Sequence, residues 1–82
     1  MKKDKYIYPA IFEAEGEQYN ISFPDLDVFT CGDNLEDALY MAKDLLGGYL
    51  YTLEEENKEI PKASMPTEVK ISSNQFVQLI EV

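Results

Sequence analysis

The chain has 82 residues, enough for one domain with a single core and too few for two. Sixteen acidic residues stand against seven lysines, with no arginine and no histidine. The formal charge of −9 repels phosphate backbones and anionic lipids, which makes nucleic acid and membrane surfaces poor partners and a basic protein a better one.

Acidity also has a plainer use, keeping a small protein in solution. A lone cysteine, Cys31, has no partner for an internal disulfide, and Met1-Lys-Lys-Asp-Lys lacks the apolar run of a signal peptide. No stretch approaches the roughly 20 apolar residues of a membrane span. The expected compartment is the cytoplasm. Lys2, Lys3 and Lys5 form the basic cluster of the sequence, which reads as a solvated tail.

Residues 6–14 predict a first strand that is apolar on both sides: Tyr6, Tyr8, Ala10 and Phe12 alternate with Ile7, Pro9 and Ile11. Pro9 points to an edge position or a bulge, because a proline in a central strand forfeits a ladder bond. Glu15-Gly16-Glu17 supplies a hairpin turn, with glycine available for a positive φ. Tyr19, Ile21 and Phe23 alternate with Gln18, Asn20 and Ser22, the period of a strand with one buried face. Residues 24–27 form a corner, and a short strand follows over 28–31, ended by Gly32. Cys31, beside Phe29 with no base nearby in sequence, reads as a core thiol.

Asn34 is placed to cap a helix over 35–55, with Asp37 at its third position and Asp33 as the other possible cap. Leu35, Ala38, Leu39, Ala42, Leu45, Leu46, Tyr49, Leu50 and Leu53 form one broad apolar stripe that covers a sheet face. Gly47-Gly48 interrupts it at a cost of about 1 kcal/mol per glycine against alanine. Both glycines fall on the outward side, where Tyr40, Asp44, Gly47 and Tyr51 align; a kink there and a close approach of another backbone are the two readings. The helix ends on acids, where its dipole prefers bases, so fraying is expected. A loop over 57–66 leads to a weak strand candidate at 67–71 and a better one at 75–82, again apolar on both sides. One helix covers one face of such a sheet, which leaves a layer to come from another copy or a partner, so at least a homodimer is expected.

Tyr8-Pro9-Ala10-Ile11-Phe12, then Ser22-Phe23-Pro24-Asp25-Leu26, then Gly32-Asp33-Asn34-Leu35-Glu36-Asp37-Ala38, a long helix and Ile60-Pro61 resemble, in order and spacing, the HicB antitoxin family. The resemblance covers most of the chain. It implies a partial RNase H-like domain, catalytically degenerate, that binds and blocks a HicA-type, RNA-cleaving toxin encoded beside it. Most members also carry a C-terminal DNA-binding module, for which 82 residues leave no room. The combined expectation is an α+β domain, a three- or four-stranded mainly antiparallel sheet with one long helix on one face, in the order β-β-β-α-β.

For chemistry, Asp25, Asp27, Asp33, Glu36 and Asp37 are the acids near strand ends that a magnesium-dependent nuclease would need. Turn formation and helix capping account for them without a metal. With no histidine and no phosphate-binding glycine loop, no catalytic residue, cofactor or metal site is assigned. Binding carries the function, and the candidate contacts are Asp25, Asp27, Asp33, Glu36, Tyr40 and Tyr51, each of which is also an ordinary surface residue. A homo-oligomeric module without a toxin partner and a residual nuclease are the alternatives.

Overall fold

The computed structural model describes residues 6–82, so the lysines at 2, 3 and 5 lie outside the described residues. Strands β1 (Ile7–Glu15), β2 (Gln18–Phe23), β3 (Val28–Gly32) and β4 (Gln75–Glu81) form one antiparallel sheet in the order β3-β2-β1-β4. Helix α1 (Leu35–Glu55) packs on one face of it. The expected β-β-β-α-β order is the one found, with four strands.

Each hairpin follows from local chemistry. Gly16 takes φ +65° while Glu17 does not go positive, the signs of a type II′ turn, whose twist matches the strands it joins. At the next corner the main-chain amides of Leu26 and Asp27 both donate to the Phe23 carbonyl, at 3.1 and 2.8 Å. Asp27 sits at φ +56°, a conformation aspartate tolerates better than most residues. This corner drives Leu26 into the core, a burial that its place in a polar turn gave no reason to expect.

Pro9 is not on an edge strand: β1 lies between β2 and β4. Tyr6 and Val82 exchange both main-chain bonds, so the even-numbered residues of β1 aim their N–H groups at β4 and the odd-numbered ones at β2. Pairing with β2 begins only at Ile11 opposite Ser22. The donor that Pro9 lacks would therefore point past the end of β2, and no ladder bond is lost.

The core fills the space between α1 and the sheet. Tyr8, Ala10, Phe12, Ile21, Phe23 and Ile80 come from the strands, and Ala38, Ala42, Leu46, Leu50 and Leu53 from the helix. Leu35 and Leu39, counted in the stripe, are exposed, and Ala38 between them makes the contact with the sheet. Gly32 sets the closest approach. A Cβ there would lie 2.5 Å from the main chain of Ala38, so only glycine lets α1 begin against the end of β3. The helix runs unbroken through Gly47 and Gly48. Gly47 faces the Val82 side chain rather than solvent, and Gly48 stands in open space with its carbonyl also accepting from the Thr52 hydroxyl at 3.0 Å.

The caps differ from expectation at one end. Asn34 Oδ1 accepts from the Asp37 amide at 2.8 Å, and Asp37 Oδ2 accepts in return from the Asp33 amide at 3.0 Å. At the other end the acids do not leave the helix open: Lys58 N donates to Leu53 O and Asn57 N to Glu54 O, with Asn57 at φ +57°. This is a Schellman closure, which satisfies carbonyls that fraying would expose. The connection beyond is irregular except for a 3-10 turn, Pro66–Glu68, so residues 67–71 do not form the strand that was a candidate there. Pro66, with no amide hydrogen and a fixed φ, starts the turn instead of a strand. Two side chains hold the connection: the Tyr8 hydroxyl donates to the Pro61 carbonyl, and Asp25 accepts from Ser64 N at 2.9 Å and Ser64 Oγ at 2.5 Å.

Three predictions follow from this packing. Asn34→Ala removes the acceptor for an otherwise orphan amide and is expected to lower stability by about 1 kcal/mol in chemical denaturation. Gly32→Ala is expected to cost about 1–3 kcal/mol, since backbone and not a pliable side chain must move. Burial, then the nearby charge of Asp25 and the neighbouring Tyr6, push the Tyr8 hydroxyl above its ordinary value of 10.0. The stability that this supplies is complete below about pH 10 and is lost as pH rises through the higher folded value. Unfolding midpoints measured from pH 8 to 12 should fall less steeply in Tyr8→Phe than in the parent protein.

Candidate functional site

The structure divides the six sequence-predicted contact residues among three places. Asp25 and Asp27 stand at the corner before β3, and Asp33 and Glu36 follow it at the start of α1. Five residues at about 3.3 Å each separate the two groups, so they lie at opposite ends of the strand. Asp25 is half-buried and both its oxygens are engaged by Ser64, which makes it a tie for the connection rather than a free contact. Asp27 is exposed.

Asp33, Glu36 and Tyr40 do come together, lining one open hollow with Asn34 and Asp37. Tyr40 is 67% exposed and Tyr51 61%, on nearly the same helix face but roughly 16 Å apart along the axis. Among the described residues no group of three or more histidine, cysteine, aspartate or glutamate side chains is placed to hold a metal ion.

Sequence reasoning located a bare sheet face but not its centre. On the face away from α1, Phe29, Ser22, Ile11 and Val77 form one row across all four strands, each opposite the next. The adjacent row is Cys31, Asn20, Glu13 and Gln75. Phe29 is 70% exposed, and Ile7 and Leu79 on the same face are 49% and 47% exposed. Pro9, of the same parity, is buried.

Cys31 is thus on the surface and not in the core. The reason is Gly32: it must face Ala38, so its parity partners Val28 and Thr30 turn toward the helix while Phe29 and Cys31 turn away. The signal available in sequence was the apolar character of both faces in β1 and β4. In the five-residue β3 nothing local distinguished one face from the other.

The acids of this face are held in place by amide donors. Gln75 Nε2 donates to Glu13 Oε1 at 2.7 Å, and Asn20 Nδ2 donates to Glu15 Oε1 at 3.0 Å. Between Phe29 and Ile11 the small Ser22 leaves a shallow hollow of about 360 Å³, with Glu13, Asn20 and Gln75 along its other wall. Such a surface, apolar at its centre and carrying oriented carboxylates, has the apolar-centre, polar-rim make-up of protein interfaces.

Residues 5–74 match the family model described as the HicB_like antitoxin of bacterial toxin-antitoxin systems. An uncharacterized 14.9 kDa protein from the rep-hol intergenic region of Haemophilus phage HP1 (strain HP1c1) is 29% identical over 75 residues. That similarity takes in 90% of this chain but 56% of the phage protein, so the chain spans little more than half the length of that relative. In structure, a chain of a toxin-antitoxin complex from Streptococcus pneumoniae superposes with a TM-score of 0.85 at 23% identity, over 94% of this chain and 68% of the other. The likeness at that identity is one of fold. The family match extends over most of the sequence, and the chain belongs to the HicB-like antitoxin family of bacterial toxin-antitoxin systems.

Proposed function

We propose that the protein acts in the cytoplasm as the antitoxin of a type II system, neutralising a HicA-type, RNA-cleaving toxin by occupying the surface that would hold RNA. The observation that carries this is the charge of −9 on a member of an antitoxin family. A toxin that cleaves RNA must present cations to phosphates, and an acidic protein offers carboxylates to the same groups. The role is one of binding, with no catalytic step assigned to the chain.

Asp27, Asp33 and Glu36, all exposed, then govern encounter. Exposed ion pairs contribute only about 0–1 kcal/mol each, so lifetime must come from buried contact, to which Tyr40 and Tyr51 are candidates on the helix side. One second reading is favoured by a specific observation: the uncovered apolar sheet face suits a homodimer, with or without a toxin. Light scattering of the isolated chain at micromolar concentration decides that point, a 9.4 kDa particle excluding it.

Stopped-flow association with a HicA-type toxin tests the main proposal. Neutralising Asp27, Asp33 and Glu36 together is expected to slow association about tenfold at low salt and to flatten its salt dependence. Between roughly 0.05 and 0.5 M salt the Debye length falls from above to well below about 10 Å. Association of the parent protein that stays constant across that range would refute the charge-complementary mechanism.

A further inference from the structure

The sheet face opposite α1 combines three features that together specify an occupant. Its centre is apolar, with exposed Phe29 and Leu79 and half-buried Ile11 and Val77 in adjoining positions across the strands. None of its strand positions holds a lysine, and Glu13 and Glu15 are fixed on it by amide donors. The hollow over Ser22 has an aromatic face and an aliphatic wall on one side and the Glu13 carboxylate on the other.

That combination matches a long basic side chain. The methylene stem of a lysine or arginine lies along apolar surface while its charged end seeks an acceptor. Phe29 offers an aromatic ring for a cation, and Glu13 a carboxylate of which Oε1 alone accepts a hydrogen bond among the described residues. A second copy of this chain fits less well: two such faces brought together oppose their own carboxylates and bring two charges of −9 into contact. Anionic lipid is disfavoured for the same reason.

We propose that this face, and not the tyrosine side of the helix, is the main docking surface for the toxin, with the Phe29–Ile11–Glu13 hollow receiving one of its basic side chains. The assignment rests on the reading of the chain as an antitoxin. It gives the apolar rows the burial that α1 cannot supply and places the buried contact that sets the lifetime of the complex.

Cys31, the chain's one cysteine, lies exposed in the row beside Phe29 and reports on the face without any substitution. Its alkylation by iodoacetamide, read by mass spectrometry of the Cys31 peptide, is expected to slow at least tenfold when a HicA-type toxin is present at saturation. Phe29→Ala and Glu13→Gln are each expected to raise the Kd for that toxin tenfold or more while keeping the parent's unfolding midpoint. If the toxin binds but Cys31 reacts at its free rate, the surface is assigned wrongly and the antitoxin reading stands. A toxin that does not bind the parent protein overturns that reading and this one with it. Protection of Cys31 that grows with the concentration of the protein alone, accompanied by a doubled mass in light scattering, gives the face to a second copy and overturns the proposal.

Discussion

The close contact between Gly32 and Ala38 is the constraint on which the remaining architecture depends. It brings the helix axis down onto the sheet at the end of β3, and Ala38 and Ala42, both without exposed surface, keep it there. Small residues at this seam leave the volume for Phe12, Ile21 and Phe23 beneath the helix. Each such side chain contributes about 1.5–3 kcal/mol on burial, so the seam decides how much core a chain of this length can assemble. Once the start of α1 is fixed there, its far end falls near β1, where the Tyr6 hydroxyl donates to Glu54. The connection back to β4 is then tied down by Tyr8 and Asp25.

The same contact determines which sheet face is left bare. Parity in a strand is strict, so assigning Gly32 to the helix side assigns Phe29 and Cys31 to the other. Cross-strand pairing carries the assignment through Ser22 and Ile11 to Val77. A row of four residues on four strands therefore faces away from the helix because of one glycine. Surface of this kind promotes self-association, and the surplus of carboxylates opposes it by repulsion between like copies. A basic partner seated as proposed would remove both problems at once, covering the apolar rows and neutralising the charge.

Features set by chemistry within a few residues were legible in the sequence: the Asn34 cap, the Gly16 turn, the alternation of β2 and the extent of α1 all appear where the pattern placed them. Features set by distant neighbours were not. Pro9 reads as an edge residue until the short register of β2 shows that its missing donor points past that strand. Thr67 to Ile71 carries strand-like residues, but Pro66 opens a 3-10 turn across the start of the segment. The site divides in the same way. The exposure of Tyr40 and Tyr51 follows from helical phase, whereas the tie between Asp25 and Ser64, 39 residues apart, and the row through Phe29 exist only in three dimensions.

Charge and apolar surface act over different ranges, and this fold keeps them in different places. The exposed acids at the corner and helix start act across roughly a Debye length, about 8 Å at physiological salt, which is long enough to bias approach and too screened to hold a complex. The apolar rows act only on contact, when water leaves the ring of Phe29 and the side chains beside it. Glu13 belongs to both regimes. It adds to the long-range field as a carboxylate, and its place beside Phe29 and Ile11 lowers the local dielectric once a partner covers it, so a charge-assisted bond there is worth more than the same bond at the helix start. A protein that must find a basic partner quickly and release it slowly is served by that separation, because encounter depends on the sum of the charges and lifetime on the few groups that become dry.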